Sequence, residues 1–287
     1  MPVDPKPSAA VEPPADDRPS AAARLAAVLT VRRRALALCA TVVAALVGVA
    51  FLAPLPFTKT EPGRTADVLG SYEDHQVITI TGAAVRPTTG ALRVTTISAS
   101  LPNQSLSFTD ALAGWVDPKV AILPREAVYP QGNPEKANQE TSREMTQAQD
   151  SATTAALNYL HLSPDQVKVS IDLGDIGGPS GGQMISLGII DKLVGDGHGG
   201  DLTGGRDIAG TGTISDDGTV GVVGGVALKT HGAAQAGATV FLLPRAECSE
   251  AQVNTPAGLR LVPVATLADA LGALTALNGG GGTVPSC

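Results

Sequence analysis

The stretch GDIGGPSGGQMISLGIIDKLV, residues 174–194, decides the fold because it joins a glycine-rich loop to a long apolar run. Gly177-Gly178-Pro179 excludes regular structure at its start, and proline fixes the φ angle that the first turn of a helix requires. The apolar residues that follow predict a mostly buried helix: Met184, Ile185, Leu187, Ile189, Ile190, Leu193 and Val194. Ser180 therefore lies at the first turn of this helix, where backbone N–H groups have no intrahelical partner.

Ser180 has two interpretations at this position. Serine at the start of a helix is most often an N-cap, whose side chain accepts a hydrogen bond from a free backbone N–H. The same N–H groups and the helix dipole would also stabilise the negative charge that develops when a serine attacks a carbonyl. The local pattern favours the N-cap and leaves the nucleophile open.

Downstream of the loop, strands and helices alternate. Asp216-Asp217-Gly218 predicts a tight turn between two strands. Pro263 confines the last strand to a sheet edge or cuts it short, and Thr266 with Asp269 forms a capping box for the final helix. The predicted elements are strands at 208–214, 219–223, 239–243 and 259–264, and helices that begin after Gly224-Gly225 and after Thr266. This alternation predicts mixed sheets and helices, an α+β class, for the domain at 161–277.

Lys229 lies on the helix that follows Gly224-Gly225, among small and apolar neighbours. A lysine there is either a surface residue with a buried stem or a buried amine with a lowered pKa. The segment does not match a phosphate-binding P-loop, because that motif places glycine directly before lysine and this chain has Leu228 there. We therefore expect no nucleotide site in this chain.

The region 58–160 precedes the glycine-rich domain and has strand patterns followed by a helix. Residues 77–80 and 92–97 are β-branched and alternate in polarity, with a turn signal at 87–90. Residues 134–160 contain no glycine, and no proline after Pro134, which predicts a helix. We expect a β-rich region that ends in a helix, at 58–160.

The N-terminal part predicts a tail and a membrane anchor. Residues 1–34 begin with a proline-rich, aliphatic-poor segment that favours disorder, and they end in Arg32-Arg33-Arg34. No charge occurs between Ala35 and Thr58, and the 19 residues from 35 to 53 rise about 28 Å as a helix, close to the hydrocarbon thickness. The positive-inside rule then places the tail at 1–34 in the cytoplasm, the transmembrane helix at 35–57, and all later residues outside.

Two alternatives to a signal anchor stay open. Gly48-Val49-Ala50 is a small-x-small site at which a signal peptidase could cleave. A buried core helix is the other alternative, although a run this long and apolar on every face is unusual in the core of a small chain. The continuation of the apolar run beyond Ala50 favours the anchor.

Composition excludes several classes of protein. The chain of 287 residues has a net charge of −7, which disfavours nucleic-acid binding because such proteins need a basic surface. Its four histidines are scattered and no His/Cys cluster has zinc spacing, so we expect neither a metal nor another cofactor.

Three cysteines are too few for a disulfide framework. Cys39 lies within the apolar run, where it is expected to be a small apolar residue. Cys248 and Cys287 would both be extracytoplasmic, where they could form a disulfide or remain as two thiols. Residues 278–287 are glycine-rich and are expected to be a flexible tail.

Several separated blocks in the region 165–275 resemble the proteolytic domain of the Lon family. They are GPSGG at 178–182, DLTGGR at 201–206, AGTGTI at 209–214, GG at 224–225 followed by Lys229, and AGA at 236–238. The order of the blocks is more specific than any one of them. The chain is most similar to the membrane-anchored Lon-like proteases of bacteria that contain a PDZ domain.

The resemblance implies roles for particular residues. Ser180 would be the nucleophile and Lys229 its base, while Thr211 would orient the lysine. Backbone N–H groups near Ser180 and Gly181 would form the oxyanion hole. Members of the family often form hexameric rings, so a homo-oligomer is implied as well.

The sequence departs from the family at two kinds of position. ATP-dependent Lon proteins carry acidic residues where this chain has Gly177 and Thr213, a difference that concerns the subtype. The family usually inserts a PDZ domain before the GPS block, and residues 161–177 are too few for one.

The resulting expectation is a single-pass cell-membrane protein that cleaves extracytoplasmic proteins or peptides without its own ATPase. A catalytically silent Lon-fold scaffold that binds partners is the alternative from another class. An amidase or esterase with the same Ser-Lys dyad is a third.

Overall fold

The computed structural model describes residues 21–101, 103–129, 134–174, 176 and 178–287. The chain divides into an N-terminal unit that ends at Ala53 and a C-terminal unit, Pro54–Cys287. The protein is mixed α+β, as the sequence predicts, with an apolar helix in the first unit and all the strands of the described residues in the second.

The N-terminal unit contains one helix, α1 (Ala21–Leu52), in its described part. Its segment Thr30–Leu52 is long and apolar enough to cross a membrane, with a mean hydropathy of 2.6. The helix starts earlier than the predicted span because the Ala-rich residues 21–34 have high helix propensity. It ends at Leu52 because Pro54 cannot continue it. Residues 21–34 are therefore helical rather than part of a disordered tail, and residues 1–20 of that tail lie outside the described residues.

The C-terminal unit has seven helices among the described residues. They are α2 (Phe108–Val116), α3 (Arg125–Val128), α4 (Pro134–Tyr159), α5 (Gly182–Leu193), α6 (Val226–Gln235), α7 (Cys248–Ala251) and α8 (Leu267–Leu277). Short 3₁₀ turns at Pro179–Gly181 and Arg245–Glu247 precede α5 and α7.

The strands are β1 (Phe57–Asp67), β2 (Ser71–Tyr72), β3 (His75–Gln76), β4 (Ile78–Thr81), β5 (Ala91–Ala99), β6 (Ala121–Pro124), β7 (Lys168–Ile171), β8 (Asp207–Gly210), β9 (Thr213–Ile214), β10 (Val220–Gly221), β11 (Val240–Pro244) and β12 (Arg260–Val264). Six of them form one sheet in the order β12-β11-β8-β5-β1-β6. Strands β12, β11, β8 and β5 are parallel, whereas β1 pairs antiparallel with both β5 and β6.

The sheet is covered on both faces, because alternate residues along its parallel strands enter two apolar clusters. The first cluster contains Ile208, Leu242 and Val262 on the side of the sheet that α5 and α8 cover, and α4 packs against α5 in the same cluster. The second takes Ala209, Phe241 and Leu261, and packs them against α6 and α7. Helix α5, which follows the turn with the predicted serine, and helix α6, which carries the predicted lysine, thus belong to opposite layers of the domain.

The structure refines the strand predictions. The predicted hairpin is present around Asp216-Asp217-Gly218, but only as the short pair β9 and β10, while residues 207–210 belong to the main sheet. Strand β4 pairs with β7 in a two-stranded sheet, separate from the six-stranded sheet that contains β5. Strand β12 is at the sheet edge, as Pro263 requires, and the capping box between Thr266 and Asp269 is present.

The C-terminus is not a free tail. Cys287 forms a disulfide with Cys248, with a Cα–Cα distance of 5.3 Å, and packs against the second apolar cluster. Val284 contacts the first cluster, and its carbonyl accepts a hydrogen bond from Arg260. The prediction of flexibility from the glycines of 278–287 is therefore wrong, because two anchored points hold the segment against the domain. The disulfide alternative is the one that the structure contains.

Replacing Cys248 and Cys287 by serine is expected to lower the free energy of unfolding by about 2–4 kcal/mol, because the bond closes a loop of 39 residues. Thermal unfolding of the full-length protein in detergent would measure this loss. The matched control is Cys39→Ser, which removes a free, exposed thiol from α1 and is expected to leave the melting temperature unchanged. An equal melting temperature for the double variant and the control would contradict the expectation.

Candidate active site

Ser180 lies in the 3₁₀ turn Pro179–Gly181 that leads into the buried helix α5. It is not the N-cap that the local sequence pattern favours, because Gly178 caps the turn and Gly181 caps α5, both without a side-chain hydrogen bond. Gly178 precedes the turn with φ 112°, a conformation that side chains disfavour. Gly181 and Gly182 lie close to neighbouring elements: a β-carbon at 182 would come within 2.8 Å of Ile214 Cγ2. The small residues therefore let the turn pack directly against the strands and leave Ser180 half-buried.

The turn is fixed by hydrogen bonds to the segment that follows β8. The carbonyl of Ser180 accepts a hydrogen bond from Gly212 N at 2.8 Å and a second from Thr211 Oγ1 at 3.2 Å. Gln183 N donates to the carbonyl of Gly212 at 3.1 Å. Thr211 and Gly212 thus hold the backbone of Ser180, the predicted nucleophile, in place.

Lys229 is buried, with 3% of its surface exposed, on α6. Its Nζ donates a hydrogen bond to Thr211 Oγ1 at 3.1 Å. Burial lowers its pKa from the ordinary value of 10.5 to about 8, against the opposing attraction of the Glu247 and Glu250 carboxylates. Of the two interpretations of Lys229, the structure has the buried amine.

Thr211 is the link between the two layers of the domain. It is fully buried, and its hydroxyl accepts from Lys229 and donates to the carbonyl of Ser180. The structure therefore brings Ser180, Lys229 and Thr211 together, although the chain separates them by as many as 49 residues. Among the described residues, no hydrogen bond is found between Ser180 Oγ and Lys229 Nζ.

Gly181 is next to Ser180 in the 3₁₀ turn that leads into α5. In the described part of the chain, no carbonyl outside that turn accepts a hydrogen bond from the backbone N–H of Ser180 or of Gly181. Gly177, one of the positions that depart from the family, lies outside the described residues, and Thr213 lies in β9.

A small, mainly apolar cavity of about 10 Å³ lies beside Ser180. Strand β5 contributes Val94 and Thr96 to it, and α4 contributes Met145 and Gln149. The contribution of α4 was missed by the sequence analysis, although the spacing of four residues between 145 and 149 places both side chains on one helix face. A larger cleft of about 830 Å³ lies near the start of α6 and does not include Ser180 or Lys229.

Glu247 was also missed by the sequence analysis. Only 8% of its surface is exposed, and its Oε1 accepts a hydrogen bond from Val223 N at 2.9 Å, in the segment before α6. Burial raises the pKa of this carboxyl group, while the hydrogen bond from Val223 and the charge of Lys229 oppose the rise. No local pattern marks Glu247 in the sequence, since its partners are 18 and 24 residues away along the chain.

The residues that the structure describes include no cluster of three or more His, Cys, Asp or Glu side chains that could hold a metal. Comparison of the sequence with models of protein families and with curated proteins finds no match in either.

Replacing Lys229 by methionine is expected to stabilise the protein at pH 7 by about 1–3 kcal/mol, because a buried amine with a lowered pKa resists protonation. The unfolded chain binds the extra proton up to pH 10.5 and the folded protein only below about pH 8. Wild-type stability therefore gains from this group as the pH rises from 8 to 10.5, so the advantage of Lys229→Met shrinks over that range.

Melting temperatures of the full-length protein at pH 7 and pH 10 would measure the effect. Lys168→Met, at an exposed position in β7, is the control and is expected to show no such pH-dependent gain. A Lys229→Met variant that is less stable than the wild type at pH 7 would contradict the expectation, because it would show that the buried amine stabilises the folded protein.

Proposed function

We propose that this chain is a membrane-anchored, ATP-independent Lon-like serine endopeptidase that uses Ser180 and Lys229 as a catalytic dyad. The observation that carries the proposal is the buried Lys229 amine, which is joined through the Thr211 hydroxyl to the carbonyl of Ser180. Burial without a close ion-pair partner is the environment that makes a lysine a usable base near neutral pH.

The first step is attack on the substrate carbonyl. Neutral Lys229 takes the hydroxyl proton of Ser180 as Oγ bonds to the peptide carbonyl carbon. With a pKa of about 8, roughly a tenth of the amine is neutral at pH 7, against less than a thousandth for an ordinary lysine. The two side chains must come within hydrogen-bond reach in the substrate complex, as catalytic pairs often do only then.

The later steps follow from the same groups. The N–H groups of Ser180 and Gly181, at the N-terminal end of the helical turn, stabilise the oxyanion. The Lys229 ammonium then donates its proton to the leaving amine as the C–N bond breaks and an acyl-enzyme forms. Water attacks the ester with Lys229 as base again, which releases the acid and restores Ser180.

The proposed substrates are extracytoplasmic proteins or peptides. The Arg32–Arg34 cluster, directly before the uncharged run that begins at Ala35, supports a place in the cell membrane with the N-terminus in the cytoplasm. The Cys248–Cys287 disulfide supports an oxidising compartment for the C-terminal unit.

Ser180→Ala and Lys229→Arg are each expected to abolish cleavage, with losses on the order of 10²–10⁴ in rate for the lysine variant. Arginine keeps the charge but cannot release its proton, so it cannot act as base. The measurement is hydrolysis of denatured casein by the full-length protein in detergent, together with covalent labelling of Ser180 by a fluorophosphonate, followed by mass spectrometry.

Ser170→Ala and Lys168→Arg, at exposed positions in β7, are the matched controls and should retain wild-type rates. If wild-type protein neither cleaves casein nor reacts at Ser180, the silent Lon-fold scaffold becomes the better assignment. If Lys229→Arg keeps near-full activity, Lys229 is a structural cation and the dyad is wrong.

The topology predicts that a reporter active only after export works when it is fused behind Cys287. The measurement compares alkaline phosphatase, which needs export, with a green fluorescent protein that folds in the cytoplasm. Replacing Arg32–Arg34 by glutamine is expected to reduce the phosphatase signal, because these charges hold the N-terminus inside. Fluorescence without phosphatase activity in the parent fusion would reverse the proposed orientation.

A further inference from the structure

Glu247 connects the segment after β11 to the segment that enters α6. It ends the 3₁₀ turn Arg245–Glu247 and directly precedes α7, which packs against α6. Its Oε1 accepts a hydrogen bond from Val223 N, two residues before Gly225, the left-handed N-cap residue of α6. The carboxylate thus fixes the start of the helix that carries Lys229.

Only one of the two carboxylate oxygens is used in this way. Among the described residues, Glu247 Oε2 is buried and has no hydrogen-bond partner. A buried carboxylate with a free oxygen is costly unless a positive charge or a donor compensates it. Lys229 is the cation that acts on Glu247, although the two groups are not within ion-pair distance in the structure.

The position of Glu247 is rigidly held. Strand β11 leads into the turn from one side and is fully buried. On the other side, Cys248 is tied to Cys287 by the disulfide. Because the backbone is held on both sides of Glu247, its carboxylate stays near Lys229 when the charge of Lys229 changes.

We infer that Glu247 is a positioning residue of the Ser180–Lys229 site, which anchors the start of α6 and supplies the countercharge for Lys229 in its protonated state. The inference deepens the proposed function and rests on it for its catalytic meaning. During the reaction Lys229 alternates between neutral amine and ammonium, and the ammonium forms in a buried place. The fixed negative charge of Glu247 stabilises that form without supplying a proton itself.

The charged groups that act on Lys229 are two carboxylates, Glu247 and Glu250, both from the chain around α7. Both attract the ammonium and raise the pKa of Lys229 against the effect of burial. Glu250 is exposed, so solvent and salt screen it, whereas Glu247 is buried. Replacing Glu250 is therefore the matched control, because it removes the same carboxylate charge from an exposed position instead of a buried one.

The test compares Glu247→Gln with Glu247→Ala and Glu250→Gln in the full-length protein. Glutamine keeps an oxygen that accepts from Val223 N but removes the charge, so the ammonium of Lys229 becomes less stable. The acidic limb of the pH profile of kcat/KM is expected to shift down by roughly half a pH unit or more in Glu247→Gln. Glu250→Gln is expected to shift it much less, and Glu247→Ala to lower the rate at every pH because the anchor is lost as well.

A readout that does not depend on activity separates this inference from the proposed function. The chain has seven lysines, so the Lys229 ¹³Cε signal of lysine-labelled protein can be assigned by its absence in Lys229→Met and followed against pH by NMR. Its titration midpoint is expected to fall in Glu247→Gln and to move little in Glu250→Gln.

A midpoint that falls as expected in a protein without peptidase activity supports the role of Glu247 and counts against the proposed function alone. A Lys229 midpoint that is the same in Glu247→Gln and wild type overturns the inference, whether or not peptidase activity is found. Equal shifts in Glu247→Gln and Glu250→Gln overturn it too, since the effect would then be one of net charge.

Discussion

The hydrogen bonds between the turn at Ser180 and the segment after β8 are the interaction on which the site depends. Gly212 N and Thr211 Oγ1 both donate to the carbonyl of Ser180. These bonds join the turn before α5 to the segment that follows the parallel strand β8. The contact is close because glycines lie on both sides of it, Gly182 after the turn and Gly212 after the strand. A β-carbon at Gly212 would come within 2.9 Å of Val220 Cγ1, and one at Gly182 within 2.8 Å of Ile214 Cγ2, so a larger residue at either position would force a buried neighbour to move.

The burial of Lys229 follows from the way in which the two helices pack on the sheet. Because α5 and α6 cover opposite faces of the sheet, the lysine of one helix can reach the serine turn of the other only at the ends of the strands. Lys229 does so through Thr211, in a place from which water is excluded. The same burial that lowers the pKa of Lys229 makes the neighbouring carboxylate of Glu247 effective over a distance at which a surface charge would be screened.

The glycine blocks and the serine turn could be predicted from the sequence because their signals are local. Pro179 marks a helix start, Asp217-Gly218 marks a turn, and Thr266 with Asp269 marks a cap, and each of these features is present. The C-terminal segment was predicted wrongly because glycine content reports chain flexibility and takes no account of a covalent bond to Cys248. Helix α1 begins earlier than predicted because the Ala-rich residues 21–34 have high helix propensity, whereas the prediction was based on the apolar run alone.

The sequence by itself determined the α+β class, the apolar N-terminal helix, the turn that contains Ser180 and the helix that contains Lys229. These features depend on periodicity and on neighbours within a few residues. Only the tertiary structure decided that Lys229 is buried and that Thr211 links it to Ser180. It also decided that Glu247 accepts a hydrogen bond from the segment before α6. Those relations join residues 18 to 31 positions apart, and they arise from how strands and helices pack rather than from any local preference.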